Sequence, residues 1–273
     1  MKKGFTLVEL SIVIIIIGLI IAGVTAGQSL VDQAQLRATI TEIQTYQTAY
    51  KTFVDKYDAV PGDMVSAETI WPAPLCGAMA GACVGNGDGK IQTSQNAGTA
   101  GTPGDEVRPA LKILALAGLI NGNIAQVPAS VIGLTAGVNA PISKYAGSGY
   151  YICEGDTPST GSDFNGVDWV MPIANFFPST TNVLFIGANA TYHGTIQDNL
   201  IKPGLTIGDA FSIDEKIDDG MVSNGVFTGA SSGKFMSVDG AQTSGCANLV
   251  TNTYYAVTLQ SGDLACLSGL ALN

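Results

Sequence analysis

Two hydrophobic patterns follow one another at the start of the chain. Across residues 5–26 nearly every position is apolar and Glu9 is the only charge. As a helix, a run of about 22 such residues spans the hydrocarbon layer of a bilayer. Farther on, the apolar positions thin to a stripe at steps of three and four: Leu36, Ile40, Ile43, Tyr46, Tyr50, Phe53 and Tyr57. That spacing predicts an amphipathic helix with one packed face. No proline separates the two patterns, so together they predict one helix from Phe5 to about Tyr57, on the order of 80 Å long. Gly18, Gly23 and Gly27 lower its helix propensity and, in a membrane, permit close approach of a second helix. Val60-Pro61-Gly62-Asp63 ends it, because proline disfavours helical geometry in its predecessor and Pro-Gly signals a turn.

Beyond this stem the periodic segments shorten. Residues 71–104 are rich in Gly, Ala and Pro and predict an extended surface loop. Residues 105–117 predict a helix, with Asp105 and Glu106 suited to its start and Val107, Leu111, Leu114 and Ala115 on its apolar face. Short β-branched or aromatic runs at residues 131–134, 149–153, 169–173 and 183–186 predict antiparallel strands. A third helix is expected at 207–217 with Asp209 as its cap. Two more strands are expected around 226–228 and 254–259, before a terminal cysteine loop. The predicted class is α+β, a long N-terminal helix packed against a mostly antiparallel sheet in a head of residues 58–273.

Charge gives the stem a direction. Lys2 and Lys3 precede the apolar run, which holds the N-terminus in the cytoplasm and sends the head outward. Glu9 then needs a partner, since a carboxylate in the hydrocarbon layer costs roughly 2.5 to 3.5 kcal/mol. No basic residue lies within the run. The nearest cation would be an α-amine freed by cutting between Gly4 and Phe5, on this chain or on a neighbouring copy.

The stretch Lys3-Gly4-Phe5-Thr6-Leu7-Val8-Glu9-Leu10-Ser11-Ile12-Val13 closely resembles the N-terminus of type IV prepilins and type II secretion pseudopilins. The resemblance covers about the first 30 residues closely and the rest of the stem more loosely. It implies cleavage of the leader, residues 1–4, after Gly4 by a membrane prepilin peptidase and methylation of the new N-terminus at Phe5. It further implies that Glu9 pairs with the terminal amine of an adjacent subunit. The implied partners are other pilin subunits, the prepilin peptidase, the inner-membrane assembly machinery and, before assembly, the bilayer. The implied location is the inner membrane as precursor, then a periplasmic or cell-surface filament. Many major pilins have proline where this chain has Ala26, and their heads are smaller, which favours a minor pilin or pseudopilin. Another reading of the same residues is a secretory signal peptide cut after Ala26, releasing a soluble binding protein. A plain single-pass anchor explains neither Glu9 nor the Gly4-Phe5 junction.

Composition narrows the functions of the head. The 273-residue chain carries a formal charge of −10, or −12 once Lys2 and Lys3 leave with the leader, so direct binding to nucleic acid is disfavoured. Five cysteines, at 76, 83, 153, 246 and 266, all lie beyond the apolar run, where disulfides persist. Connectivity does not follow from spacing; local closure favours Cys76 with Cys83 and Cys246 with Cys266, leaving Cys153 unpaired. The second pair also resembles the C-terminal disulfide loop of many pilins. Zinc is disfavoured, since there is no CxxC spacing and His193 is the sole histidine.

Calcium is the one cofactor weighed, and otherwise none is expected. Asn86-Gly87-Asp88-Gly89-Lys90-Ile91 is similar to half of a calcium loop but lacks acidic residues at its ends. Asp214, Asp218 and Asp219 gather near a helix C-terminus, where acidic residues are unfavourable and a cation would help. No catalytic motif is complete. Gly229 to Lys234 falls short of a phosphate loop, Ser148 lacks the GxSxG setting, and His193 has no nucleophile motif to serve. The expectation is a structural subunit and not an enzyme.

Overall fold

A computed structural model describes residues 6–72, 75–76, 83–92, 106–122, 124, 134–145, 147–154, 181–192, 195–218, 227–231, 247–248, 253–254 and 266–272. In chain order its elements are α1 (Leu7–Tyr57), α2 (Ala67–Ile70), α3 (Val107–Leu116), β1 (Ser148–Glu154), β2 (Asn182–Tyr192), β3 (Thr195–Pro203), α4 (Ile207–Ile217), β4 (Phe227–Ser231), β5 (Ala247–Asn248), β6 (Thr253–Tyr254) and β7 (Cys266–Ala271). The α+β class holds. Every pairing between these strands is antiparallel.

The stem is a single helix of 51 residues. It ends at Tyr57 because Asp58 takes up left-handed geometry (φ 48°) while its N–H still reaches the Val54 carbonyl. Pro61, Gly62 and Asp63 then form the turn into the head. Gly62 sits at φ 97°, and a Cβ there would lie 2.4 Å from the Glu106 carbonyl oxygen. The exit turn is thus pressed directly onto the start of α3.

The outer half of α1 supplies one wall of the core. Ile40, Ile43, Tyr46, Tyr50 and Phe53 are buried with Ile113 and Leu114 of α3, Ile213 of α4 and Tyr150, Ile152, Leu184 and Ile186 of the sheet. β2 is the strand around which the sheet is organised. It pairs with β1 (Tyr151 opposite Phe185), with β3 and with β7 (Phe185 opposite Gly269), and β7 pairs on to β4. All seven residues of β1 are buried, which explains why its Tyr-Tyr-Ile-Cys run shows no polar alternation.

Polar ties fix the stem on the head. Glu42 accepts hydrogen bonds from Tyr150 Oη (2.9 Å), Lys144 N–H (3.0 Å) and Ser143 Oγ (3.3 Å). Buried Asn182 of β2 donates to Tyr50 Oη and to the Gly89 carbonyl and accepts from Ile91 N–H, each at 2.9 Å. One amide therefore joins stem, sheet and the 83–92 loop.

Several expectations change. Residues 71–104 are not simply a surface loop: the buried Trp71 ring lies 5.4 Å from that of Tyr57 and 6.1 Å from that of Phe53. Ile91 is also fully buried. Trp71 and Ile91 thus both belong to the core. The loop expected between Cys246 and Cys266 lies largely outside the described residues; the chain from Cys266 on is β7, held on both edges. Its small residues fit there because Gly269 makes room: a Cβ at that position would stand 2.7 Å from Val183 and 2.8 Å from the Phe185 ring. α4 is capped by Thr206, whose Oγ1 accepts from Asp209 N–H, and not by Asp209 itself. Strands β1, β2 and β4 contain or adjoin three of the expected runs, whereas the run at 169–173 lies outside the described residues.

Candidate functional site

The first turn of α1 is built by Thr6. Its Oγ1 accepts the Glu9 N–H at 3.3 Å, and Glu9 Oε2 in return accepts from the Thr6 N–H and the Thr6 hydroxyl, both at 2.8 Å. This reciprocal capping box satisfies helix-end donors that otherwise have no intrahelical partner. It also gives Glu9 a neutral partner on its own chain, which a search for cations alone overlooks. The pattern Thr-x-x-Glu is visible in the sequence as a helix-start signal. The first basic side chain along the stem is Arg37, roughly 42 Å farther on at 1.5 Å per residue. No basic side chain of the described stem is therefore within reach of Glu9.

Between this turn and residue 34 every side chain of α1 is exposed, including Leu7 (86 %), Leu19 (76 %) and Ile15 (70 %). The apolar window here has mean hydropathy 2.9 and none of it is buried within the chain, so α1 is long and apolar enough to cross a membrane. The few polar atoms inside the run are internally satisfied: Ser11 Oγ donates to the Val8 carbonyl (2.9 Å) and Thr25 Oγ1 to that of Ala22 (3.1 Å). Such self-pairing is what a helix in hydrocarbon requires. Gly18, Gly23 and Gly27 have no atom of the chain within 4 Å of an added Cβ, so they present bare backbone outward.

Gly4 and Phe5, where the sequence places processing, lie outside the described residues. Cys76 and Cys83 form a disulfide seven residues apart, and Cys153 is free and buried on β1. Burial pushes the Cys153 thiol well up, so it behaves as a small apolar side chain. Cys246 lies outside the described residues, and nothing is described of the Cys266 side chain on β7. Asp214 is buried in the last turn of α4 and Asp218 is its C-cap, the Asp218 N–H donating to the Asp214 carbonyl; Asp219 lies outside the described residues.

The loop likened to a calcium site is held by its own amides. Asn86 Oδ1 accepts from Asp88 N–H and Asp88 Oδ1 from Lys90 N–H, two successive Asx turns. Other amides of the loop point inward at Asp63 and Glu106. Ser148 is buried with its hydroxyl donating to the Gly204 carbonyl at 2.8 Å, a structural tie, and His193 lies outside the described residues.

Residues 1–25 match the family described as the prokaryotic N-terminal methylation motif, the signature of type IV pilins and pseudopilins. The match takes in residues 1–5, the capping box and most of the exposed apolar run, and none of the head. Comparison of the chain with curated proteins and with solved structures finds no match.

Proposed function

We propose that the chain is a structural subunit of an extracytoplasmic type IV pilus-like filament, a minor pilin or pseudopilin, cleaved after Gly4, methylated at Phe5 and assembled through α1. The observation that carries this reading is the division of α1 into a packed half and an uncovered apolar half whose start bears the methylation motif. Before assembly the bilayer covers residues 7–31, and afterwards the stems of neighbouring subunits do so. Exposing that surface to water would cost roughly 25 cal/mol per Å², so it stays covered in both states, and the exchange of lipid for neighbouring stems draws on close helix packing. Glu9 supplies register. Within one chain it rests in the capping box with Thr6. In the filament the Phe5 amine of another subunit adds the cation that the stem lacks.

Mass spectrometry of the mature protein from its native cells tests the processing. A chain starting at methylated Phe5 is expected, whereas one starting at Gly27 replaces this reading with a secreted soluble protein. Glu9→Ala tests the register. The variant is expected to remain stable in the membrane and to be missing from sheared filaments, and its normal incorporation would refute the role given to Glu9.

A further inference from the structure

Asparagine followed by glycine occurs at positions 86, 121, 165 and 224, and the last two lie outside the described residues. Such a pair is open to attack by the glycine nitrogen on the asparagine side chain, because glycine has no Cβ to obstruct the approach. The two described pairs stand in opposite surroundings.

Asn86-Gly87 is held shut. Asn86 Oδ1 accepts from Asp88 N–H at 2.8 Å, and Asn86 N–H donates to Glu106 Oε1 at 3.0 Å. Gly87 N–H donates to Oδ1 of Asp63, a carboxylate only 2 % exposed. Oδ2 of the same carboxylate accepts from Gly89 N–H at 2.7 Å, and Asp88-Gly89 is a junction open to the same ring closure. One buried carboxylate therefore occupies the attacking nitrogen of both junctions. A nitrogen so placed gives up its proton reluctantly, since the charge left behind would face the carboxylate. The backbone fits closely here as well: a Cβ on Gly87 would stand 2.9 Å from Val65 and one on Gly85 2.2 Å from Asp63 Cα.

Asn121-Gly122 has none of this. Both residues are exposed, just past the end of α3. Among the described residues neither the Asn121 side chain nor the Gly122 N–H has a hydrogen-bond partner. Gly122 sits at φ 129°, and a Cβ there would meet nothing within 4 Å, so the peptide has room to turn.

We propose that Asn121 is a site of spontaneous deamidation in the folded chain, and that Asp63 spares Asn86 the same reaction. The Gly122 nitrogen loses its proton and attacks Asn121 Cγ. The new N–Cγ bond replaces the Cγ–Nδ2 bond, and ammonia leaves with the proton. Water then opens the cyclic imide at one or other of its carbonyl carbons, leaving an aspartate or an isoaspartate at position 121. Either product adds a negative charge. Asn121 lines a cavity of about 520 Å³ beside α1, whose wall also carries Glu42 and Lys144. A wall with one carboxylate and one ammonium group thereby gains a second carboxylate, and the molecule grows more acidic there with age.

The test is peptide mapping by mass spectrometry of the full chain incubated in detergent at mildly alkaline pH, beside the same chain unfolded in urea. In the folded chain Asn121 is expected to convert at close to its unfolded rate, read as the mass gain of an amide turned acid. Asn86 is expected to convert at least about tenfold more slowly than when unfolded, because it waits for local opening. An Asn121 as protected as Asn86 would overturn the site. Asp63→Ala is expected to speed conversion at Asn86 about tenfold and to leave Asn121 unchanged. An Asn86 that stays as slow would overturn the shielding role. If that variant does not fold, amide exchange at Gly87 and Gly89 in the wild type decides: slow exchange supports the shield, and exchange at the rate of a free peptide refutes it.

Discussion

The two halves of α1 share a backbone and differ in what surrounds them. From Leu36 to Tyr57 the apolar residues form a stripe and the chain's own head covers it. From Leu7 to Val31 they encircle the helix and none of the described residues covers them. The sheet has side chains enough to bury one face of a helix, never a whole circumference. Stability of the head should therefore depend on the first group of residues, and location and assembly on the second.

The sharpest way to break that division is a matched pair of truncations. Phe53 is fully buried, with ring centroids of Tyr57 and Trp71 at 4.5 and 6.1 Å. Phe53→Ala is expected to lower head stability by about 3 to 5 kcal/mol in denaturant unfolding of the full chain in detergent. Ile15→Ala, equally apolar but 70 % exposed, is expected to change it by less than about 0.5 kcal/mol. Equal effects would mean that the division is false. Gly269→Ala probes the sheet on which the outer half rests. Its new methyl meets Val183 and the Phe185 ring, and a loss of about 1 to 3 kcal/mol is expected by the same measurement. Thr6→Ala acts on the uncovered half. It removes the capping box at a cost of about 1 kcal/mol, read as faster amide exchange in the first turn with head stability unchanged.

Much of the fold is legible from local pattern. The stem, its end near Tyr57, the α3 and α4 segments and the β1 and β2 cores follow from periodicity and turn residues that tertiary contacts do not need to override. Less conspicuous are the side chain to backbone signals: in Thr6-x-x-Glu9 and Thr206-x-x-Asp209 the threonine hydroxyl accepts the amide of the acidic residue three positions on. β3 and β7 are illegible for a different reason. Asp198, Asn199, Pro203, Ser268 and Gly269 have little strand preference, and pairing with β2, for β7 also with β4, makes their segments strands. The pressing of the Gly62 turn onto the start of α3 is equally hidden, because it joins Gly62 to Glu106, 44 positions apart in sequence. The motif at residues 4–9 is readable because its residues are neighbours in sequence.

The unbroken course of α1 gives the molecule an angular phase. Each residue between Glu9 and Glu42 adds about 1.5 Å of height and about 100° of rotation. Where the head points around the stem is therefore fixed by how many residues lie between them. One inserted residue would leave both ends locally intact and swing the head about a quarter turn relative to Glu9. Seven would lift it by about 10 Å and return it to within roughly 20° of its original heading. In a helical array that asks every copy to face its neighbours alike, the length of this rod is also a compass setting.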